Sequence, residues 1–218
     1  MRSGFLYGRQ LPYGKKTKYP MYFADQNWKK PNRLLYMKSL EFHRPHMATV
    51  LDLERRDQRE EVLDWAAEAA QFVNVVIIIP KVSLIHTLPK QIGSAEVRLG
   101  YSVPTKYGGT EILTSEFLGW PVHLLGGNPA QQKKLMHYMN VRSADGNMLL
   151  KLARGGKIWM PGKGIFTSNP VQFTVAYGKR WNSETSMMEE VFRQSCDNMM
   201  HYFHEYRRGV SCQNQNLV

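Results

Sequence analysis

Short apolar runs recur along the chain, and segments with apolar residues at helical spacing separate most of them. Phe5–Tyr7 predicts an early strand, and Met21–Ala24 predicts a second that leads into Asp25. Pro31–Phe42 predicts a helix with Leu34, Leu35, Met37, Leu40 and Phe42 on its apolar side. Met47–Leu51 predicts a strand ending at Asp52. Arg56–Phe72 is the clearest helix, with Val62, Leu63, Ala66, Ala69, Ala70 and Phe72 in register. Val75–Ile79 is a continuous β-branched run, the pattern of a strand buried on both faces. Val97–Val103 and Val122–Leu125 predict further strands, the second followed by Gly126 and Gly127. Pro129–Met139 predicts a helix capped by Asn128. Val141–Ala144 predicts a strand ending at Asp145, Met148–Ala153 a short helix, and Lys157–Met160 a last strand.

Strands alternating with helices imply a parallel sheet with crossover helices, an α/β fold. The count reaches about eight strands, which suits a compact (β/α)8 TIM-like barrel, trimmed because that fold usually takes about 250 residues. An open doubly wound sheet is the second architecture, and no Gly-x-Gly-x-x-Gly follows the first strand to support its dinucleotide-binding form. Residues 1–182 are expected to form the barrel, and 183–218 a C-terminal helix and tail that packs on it or on a partner. The helix, Ser183–Arg208, carries Met188, Val191, Phe192, Met199 and Phe203 on one side and could serve a homodimer. Pro104–Trp120 falls outside the alternation as a long polar loop, a lid or an excursion.

Charge adds a partner. The 218 residues hold 29 Lys and Arg against 18 Asp and Glu, a net +11, which points to a polyanion. No basic amphipathic helix stands out, which favours nucleic acid over a membrane surface. Apolar residues at 43% exclude disorder from end to end. Cys196 and Cys212 are too few for a disulfide framework or a four-cysteine zinc site. The longest apolar run, Val75–Pro80, is too short to span a bilayer, and Met1–Lys18 lacks a signal-peptide core. A cytoplasmic protein is expected.

In parallel α/β folds the reactive groups lie beyond the C-terminal ends of the strands. Asp25, Asp52 and Asp145 fall there, and Lys81 ends a fourth strand. Each aspartate could instead cap the helix that follows it. Several converging carboxylates suit glycosyl chemistry, in which one attacks an anomeric carbon and another moves protons on the leaving group. His43-x-x-His46 and His201-x-x-His204 have ligand-like spacing, but packing or surface roles are the commoner fate of such pairs, and no metal is assigned.

Pro-Val-His-Leu-Leu-Gly-Gly at 121–127, Val-Arg-Ser-Ala-Asp at 141–145 and Leu-Ala-Arg-Gly-Gly-Lys-Ile-Trp at 152–159 resemble the tRNA-guanine transglycosylase superfamily. Members carry a Tyr-Leu-Met-Gly strand, a strand ending in a nucleophilic aspartate, then Ala-Arg-Asn-Gly and a hairpin. Asp25 matches an upstream family aspartate in order but without its flanking glycines, and Asp52 matches the aspartate of the family's Phe-Asp-Glu-Cys strand. The string Arg-Leu-Gly-Tyr-Ser-Val-Pro-Thr-Lys-Tyr-Gly-Gly-Thr is similar to the compact phage-encoded DNA-guanine transglycosylases. The tRNA enzymes' Cys-x-Cys-x-x-Cys…His zinc site has no counterpart here, which shifts the implied substrate from tRNA to DNA.

What the resemblance implies is exchange of guanine in DNA for a 7-deazaguanine such as 7-cyano-7-deazaguanine, without a cofactor, in the host cytoplasm if the gene is a phage's. Asp145 is the implied nucleophile and Asp25 the general acid and base. Asp52 would accept hydrogen bonds from the purine, with Gln26, Lys81, Ser102, Leu125, Gly126, Gly127 and Asn147 completing the base pocket. Lys151 and Arg154, and Lys106 and Tyr107 on the long loop, would hold the nucleic acid by charge and stacking. The target nucleotide would leave its stack to be reached. Three other readings stand beside this one: a tRNA-directed guanine transglycosylase, a nucleic-acid-binding barrel without catalysis, and a metal-dependent hydrolase using the His-x-x-His pairs.

Overall fold

The computed structural model describes residues 6–17, 19–104, 109–161, 164–167 and 191–204. The chain divides into two compact units, residues 6–145 and the remainder from 146 onward with the first five residues.

The larger unit is built on a curled parallel sheet, a half-barrel, of seven strands in the order β1 (Gly8–Leu11), β2 (Phe23–Gln26), β3 (Met47–Thr49), β4 (Val75–Ile78), β6 (Ala95–Ser102), β7 (Val122–Leu125) and β8 (Val141–Ala144). A two-residue strand, β5 (Gln91–Ile92), pairs antiparallel with β6. The α/β expectation holds; closure into an eight-stranded barrel does not follow, because β1 and β8 stand at opposite ends of the strand order among the described residues. The expected strand Lys157–Met160 is β9, but it pairs antiparallel with β10 (Gly164–Thr167) as a hairpin outside the large sheet. The early strand lies at Gly8–Leu11, just after the predicted Phe5–Tyr7.

Strand parity builds two layers of packing. Ala24, Ala48, Val76, Ile78, Val97, Leu99, Val122 and Leu124 join the main core with residues of helices α1 (Arg33–His43) and α2 (Arg59–Ala69). Phe23, Met47, Val75, Ile77 and Ile79 form a second cluster with Leu125 on the opposite face. Both faces of β4 are therefore dry, which is why its sequence is apolar without alternation. Each aliphatic side chain so buried contributes roughly 1.5–3 kcal/mol.

Helix α1 departs from its predicted face. Leu34, Leu35 and Phe42 are 64%, 48% and 60% exposed, whereas Tyr36 is 1% exposed and packs inward with Met37 and Leu40. On α2 the buried residues are Val62, Trp65, Ala66 and Ala69, so Trp65 joins the expected stripe. α3 (Pro129–Leu135) begins as predicted: the Asn128 side chain accepts from the Gln131 N–H, Gln131 returns a bond to the Asn128 N–H, and proline takes the first turn. The described part of the long loop after β6 is packed rather than free. Ile112, Phe117 and Trp120 are buried, and the ring of Phe117 meets Tyr101 edge-on at 5.2 Å.

In the smaller unit, α4 (Met148–Arg154), β9 and a helix over residues 191–204 (α5) share one apolar cluster of Leu149, Leu152, Trp159, Cys196 and Met199. The Trp159 N–H donates to Ser195 Oγ at 3.0 Å, and Asn198 Nδ2 donates to the Trp159 carbonyl at 2.8 Å. The C-terminal helix thus serves the core of its own unit.

Candidate active site

Asp25, Asp52 and Asp145 all stand at the C-terminal edge of the parallel sheet. Asp25 is the third residue of β2, Asp52 follows β3, and Asp145 directly follows β8. None of them caps a helix. The N-caps of α1, α2 and α4 are Asn32, Gln58 and Asn147. The bland alternative for the aspartates falls away, and all three remain partly accessible at the rim.

Backbone pairing sets two of these groups beside polar partners. β2 and β3 register Phe23 with Met47 and Ala24 with Ala48, so Asp25 falls beside Thr49. Thr49 is fully buried, donates from Oγ1 to Asp25 Oδ1 at 3.1 Å and accepts the Gln26 N–H at 2.7 Å. Beyond β3 the chain stays paired with the β4 segment through Leu53 and Pro80, which sets Asp52 beside Lys81. Lys81 Nζ lies 3.9 Å from Asp52 Oδ2 and donates to Ser102 Oγ at 2.6 Å.

Asp145 is tied to the glycine turn. Its N–H donates to the Leu124 carbonyl at 2.9 Å, and its Oδ1 accepts the Gly126 N–H at 2.7 Å. Gly126 and Gly127 hold φ of +68° and +79°, values that suit glycine. A Cβ on Gly127 would also meet Val103 Cγ1 at 2.6 Å. Gln132 from α3 donates to the carbonyls of both Gly126 and Asp145, at 2.8 and 2.9 Å, and staples the two strand ends.

The three carboxyls are held above the ordinary carboxylate range. Burial pushes Asp25 up to about 7, and the neighbouring charges of Asp145 and Asp52 add to it against the Thr49 hydrogen bond. Burial raises Asp52 to about 6, with Lys81 pulling it down and Glu54 pushing it up. Burial also raises Asp145, opposed by the Gly126 N–H and its own backbone N–H. Carboxyls raised by burial at strand ends, with Asp25 raised further by the charges of the other two, are candidates for a functional site.

Below this rim the inner face is apolar. A Cβ on Gly100 would lie 2.7 Å from Ile79 Cγ1 and 3.0 Å from Leu125 Cδ1, so the floor is closed by side chains. Deeper still, His123 is fully buried against Phe23, its Nδ1 2.8 Å from Ser143 Oγ and its Nε2 unpartnered. Burial and nearby Arg98 push the imidazole down to about 3, so it is neutral.

A family model described as a family of unknown function (DUF6610) matches residues 1–204. The chain belongs to this family. No curated protein and no solved structure matches it.

Of the residues singled out in this DUF6610 chain, Asp25, Gln26, Asp52, Lys81, Ser102, Leu125, Gly126, Gly127 and Asp145 all belong to the larger unit and to the C-terminal strand ends or the turns after them. Gln26 is buried, with its Nε2 donating to the Asn27 carbonyl at 3.1 Å and its Oε1 unpartnered. Asn147, Lys151 and Arg154 belong to the smaller unit, where Asn147 caps α4 without a side-chain bond and Lys151 and Arg154 are exposed. Lys106 and Tyr107 lie outside the described residues.

The histidine pairs are used for packing or left at the surface. His43 Nε2 is 2.8 Å from the Tyr13 carbonyl, His46 stacks on Tyr22, and His201 and His204 are exposed on α5. Among the described residues no three His, Cys, Asp or Glu side chains cluster as a metal site. Nor is any helix among them long and apolar enough to cross a membrane. Sequence reasoning missed Thr49 and Gln132. Thr49 looks like any strand threonine in the sequence; Gln132 was detectable from the Asn128 cap, which fixes the phase of α3.

Proposed function

We propose that the protein is a base-exchange transglycosylase that replaces guanine in DNA with a 7-deazaguanine, working on a trimmed relative of the (β/α)8 barrel in the cytoplasm. The observation that carries this reading is the placement of Asp25, Asp52 and Asp145 at one sheet edge, free of capping duty, with Asp145 oriented by the Gly126 N–H on its Oδ1. The resemblance of segments 121–127, 141–145 and 152–159 to guanine transglycosylases supports it, as does the net charge of +11.

In the first step Asp145 Oδ2 attacks C1′ of the target nucleotide. The C1′–N9 bond breaks, its electron pair goes to guanine, and Asp25 as a carboxylic acid delivers a proton to the departing base. A sugar–aspartate ester and an Asp25 carboxylate result. In the second step the incoming base gives its N9 proton to Asp25 while N9 attacks C1′, and the ester bond returns its electron pair to Asp145. Protons and electrons balance over the cycle with no co-reactant. Ionised Asp52 accepts from the N–H groups on the purine's Watson–Crick edge, and Lys81 donates to its carbonyl oxygen. A pocket that pairs such donors rejects analogues lacking them by about 10⁴-fold.

The test is incorporation of labelled 7-deazaguanine into DNA, with tRNA as a parallel substrate. Asp145→Ala is expected to abolish incorporation while the protein stays folded, and wild-type protein quenched in denaturant is expected to carry a covalent DNA adduct. Retained exchange in Asp145→Ala would overturn the nucleophile, and exchange into tRNA alone would overturn the choice of DNA.

A further inference from the structure

We infer that Thr49 is a positioning residue that decides which oxygen of Asp25 carries the acid proton: Oδ1 is held as an acceptor, and the proton resides on Oδ2. A threonine hydroxyl has one hydrogen to give. The Gln26 N–H donates to Thr49 Oγ1 at 2.7 Å, and the hydroxyl donates to Asp25 Oδ1 at 3.1 Å. While that bond stands, Oδ1 cannot itself present a hydrogen toward Thr49, and Oδ2 is the position left for it.

The threonine is not free to turn away. It is fully buried, and its carbonyl accepts the hydroxyl of Tyr36 at 2.5 Å, a side chain buried from α1. The groups that bear on Asp25 are Asp145 after β8, Asp52 after β3 and Tyr36 on α1, with Lys81 beyond, set against Asp52. The acidic neighbours favour a proton on Asp25, and Thr49 selects its oxygen. The β1 neighbour in register, Gln10, carries no charge. The inference rests on the proposed reaction only for the recipient of the proton; its placement is a property of the free protein.

The experiment is a ¹³C-carboxyl NMR titration of the full-length protein without substrate, run on wild type, Thr49→Val and Thr49→Ser beside the pH profile of exchange. Loss of a donor to the carboxylate raises an acid's pKa. Thr49→Val is expected to move the Asp25 titration up by about half to one pH unit, and the alkaline limb of kcat by the same amount with KM unchanged. Thr49→Ser is expected to titrate as wild type does. An unmoved Asp25 in Thr49→Val, or serine behaving as valine does, would overturn the inference. Should valine prevent folding, isotope-edited infrared spectra of wild type at low pH decide: the Asp25 acid carbonyl is expected at a hydrogen-bonded frequency, and a free-carbonyl frequency would overturn the assignment. A shifted titration in a protein that exchanges no base would sink the proposed reaction and leave Thr49 in its role.

Discussion

The backbone N–H of Gly126 meets Oδ1 of Asp145 at 2.7 Å, and the glycine that donates it holds a left-handed φ of +68°. A Cβ at Gly126 would touch nothing within 4 Å, so the cost of Gly126→Ala is conformational rather than steric. It is expected to lower unfolding free energy by about 1 kcal/mol in urea titrations. Exchange is expected to fall by about tenfold as the turn shifts and the proposed nucleophile loses its anchor. Loss of stability with exchange intact would detach the glycine from the chemistry.

The pH profile of exchange carries the sign of Asp25. In the proposed reaction the general acid works protonated, and the Asp25 carboxyl stands at about 7. Above that pH the acid form declines tenfold per unit, so single-turnover release of guanine is expected to fall with a slope of −1. On the acidic side the rate is limited by ionisation of Asp145, itself raised by burial. Because the two charges sense each other, both limbs belong to the pair. A rate flat between about pH 6 and 9 would contradict this assignment.

Stability depends on the same group in a defined direction. The folded state binds the Asp25 proton more tightly than the unfolded chain, with its carboxyl at about 7 against an ordinary 3.8. Folding is therefore favoured by protonation, and this contribution is lost as pH rises from about 4 to about 7. The gap between those two values bounds the loss at about 4 kcal/mol. Asp25→Asn removes it, so the variant is expected to exceed wild type by about 1–4 kcal/mol near pH 8 and to match it near pH 3.5, read by urea unfolding at both. A gain of equal size at both values would refute the electrostatic cause.

Lys81 keeps Asp52 available as an anion. Burial raises the Asp52 carboxyl and the ammonium lowers it, leaving it at about 6. Lys81→Met is expected to raise Asp52 toward neutrality and to weaken guanine binding by about tenfold at pH 7, with affinity partly restored at higher pH. Calorimetric titration with guanine across pH checks this. The same loss at every pH would assign Lys81 to direct contact with the base alone.

The strand ends that carry the candidate carboxylates were more legible in the sequence than the closure of the sheet. Strands buried on both faces leave continuous apolar runs, and a carboxylate at the end of such a run, as in Val-Leu-Asp at 50–52 or Ser-Ala-Asp at 143–145, stands out because water must be near it. Closure of the sheet was not legible. Lys157–Met160 reads as a strand, but four residues say nothing about whether the neighbour is a parallel partner or the return arm of a hairpin. The face of α1 was misjudged because Leu34, Leu35 and Phe42 outweigh Tyr36 in hydrophobicity, while Tyr36 finds a buried acceptor in the Thr49 carbonyl that no helical period reveals. Thr49 itself looks like any strand threonine, and its importance comes from lying across the ladder from Asp25.

Three acidic groups half withdrawn from water, with Lys81 answering Asp52, leave the rim of the half-barrel in electrostatic tension. A guest that offers N–H groups to those oxygens relaxes it, so occupancy and rigidity are expected to rise together, most steeply in alkaline solution where the mutual repulsion is greatest. The melting curve of this protein would then serve as an assay for the proposed substrate, needing no label and no prior choice among candidate bases.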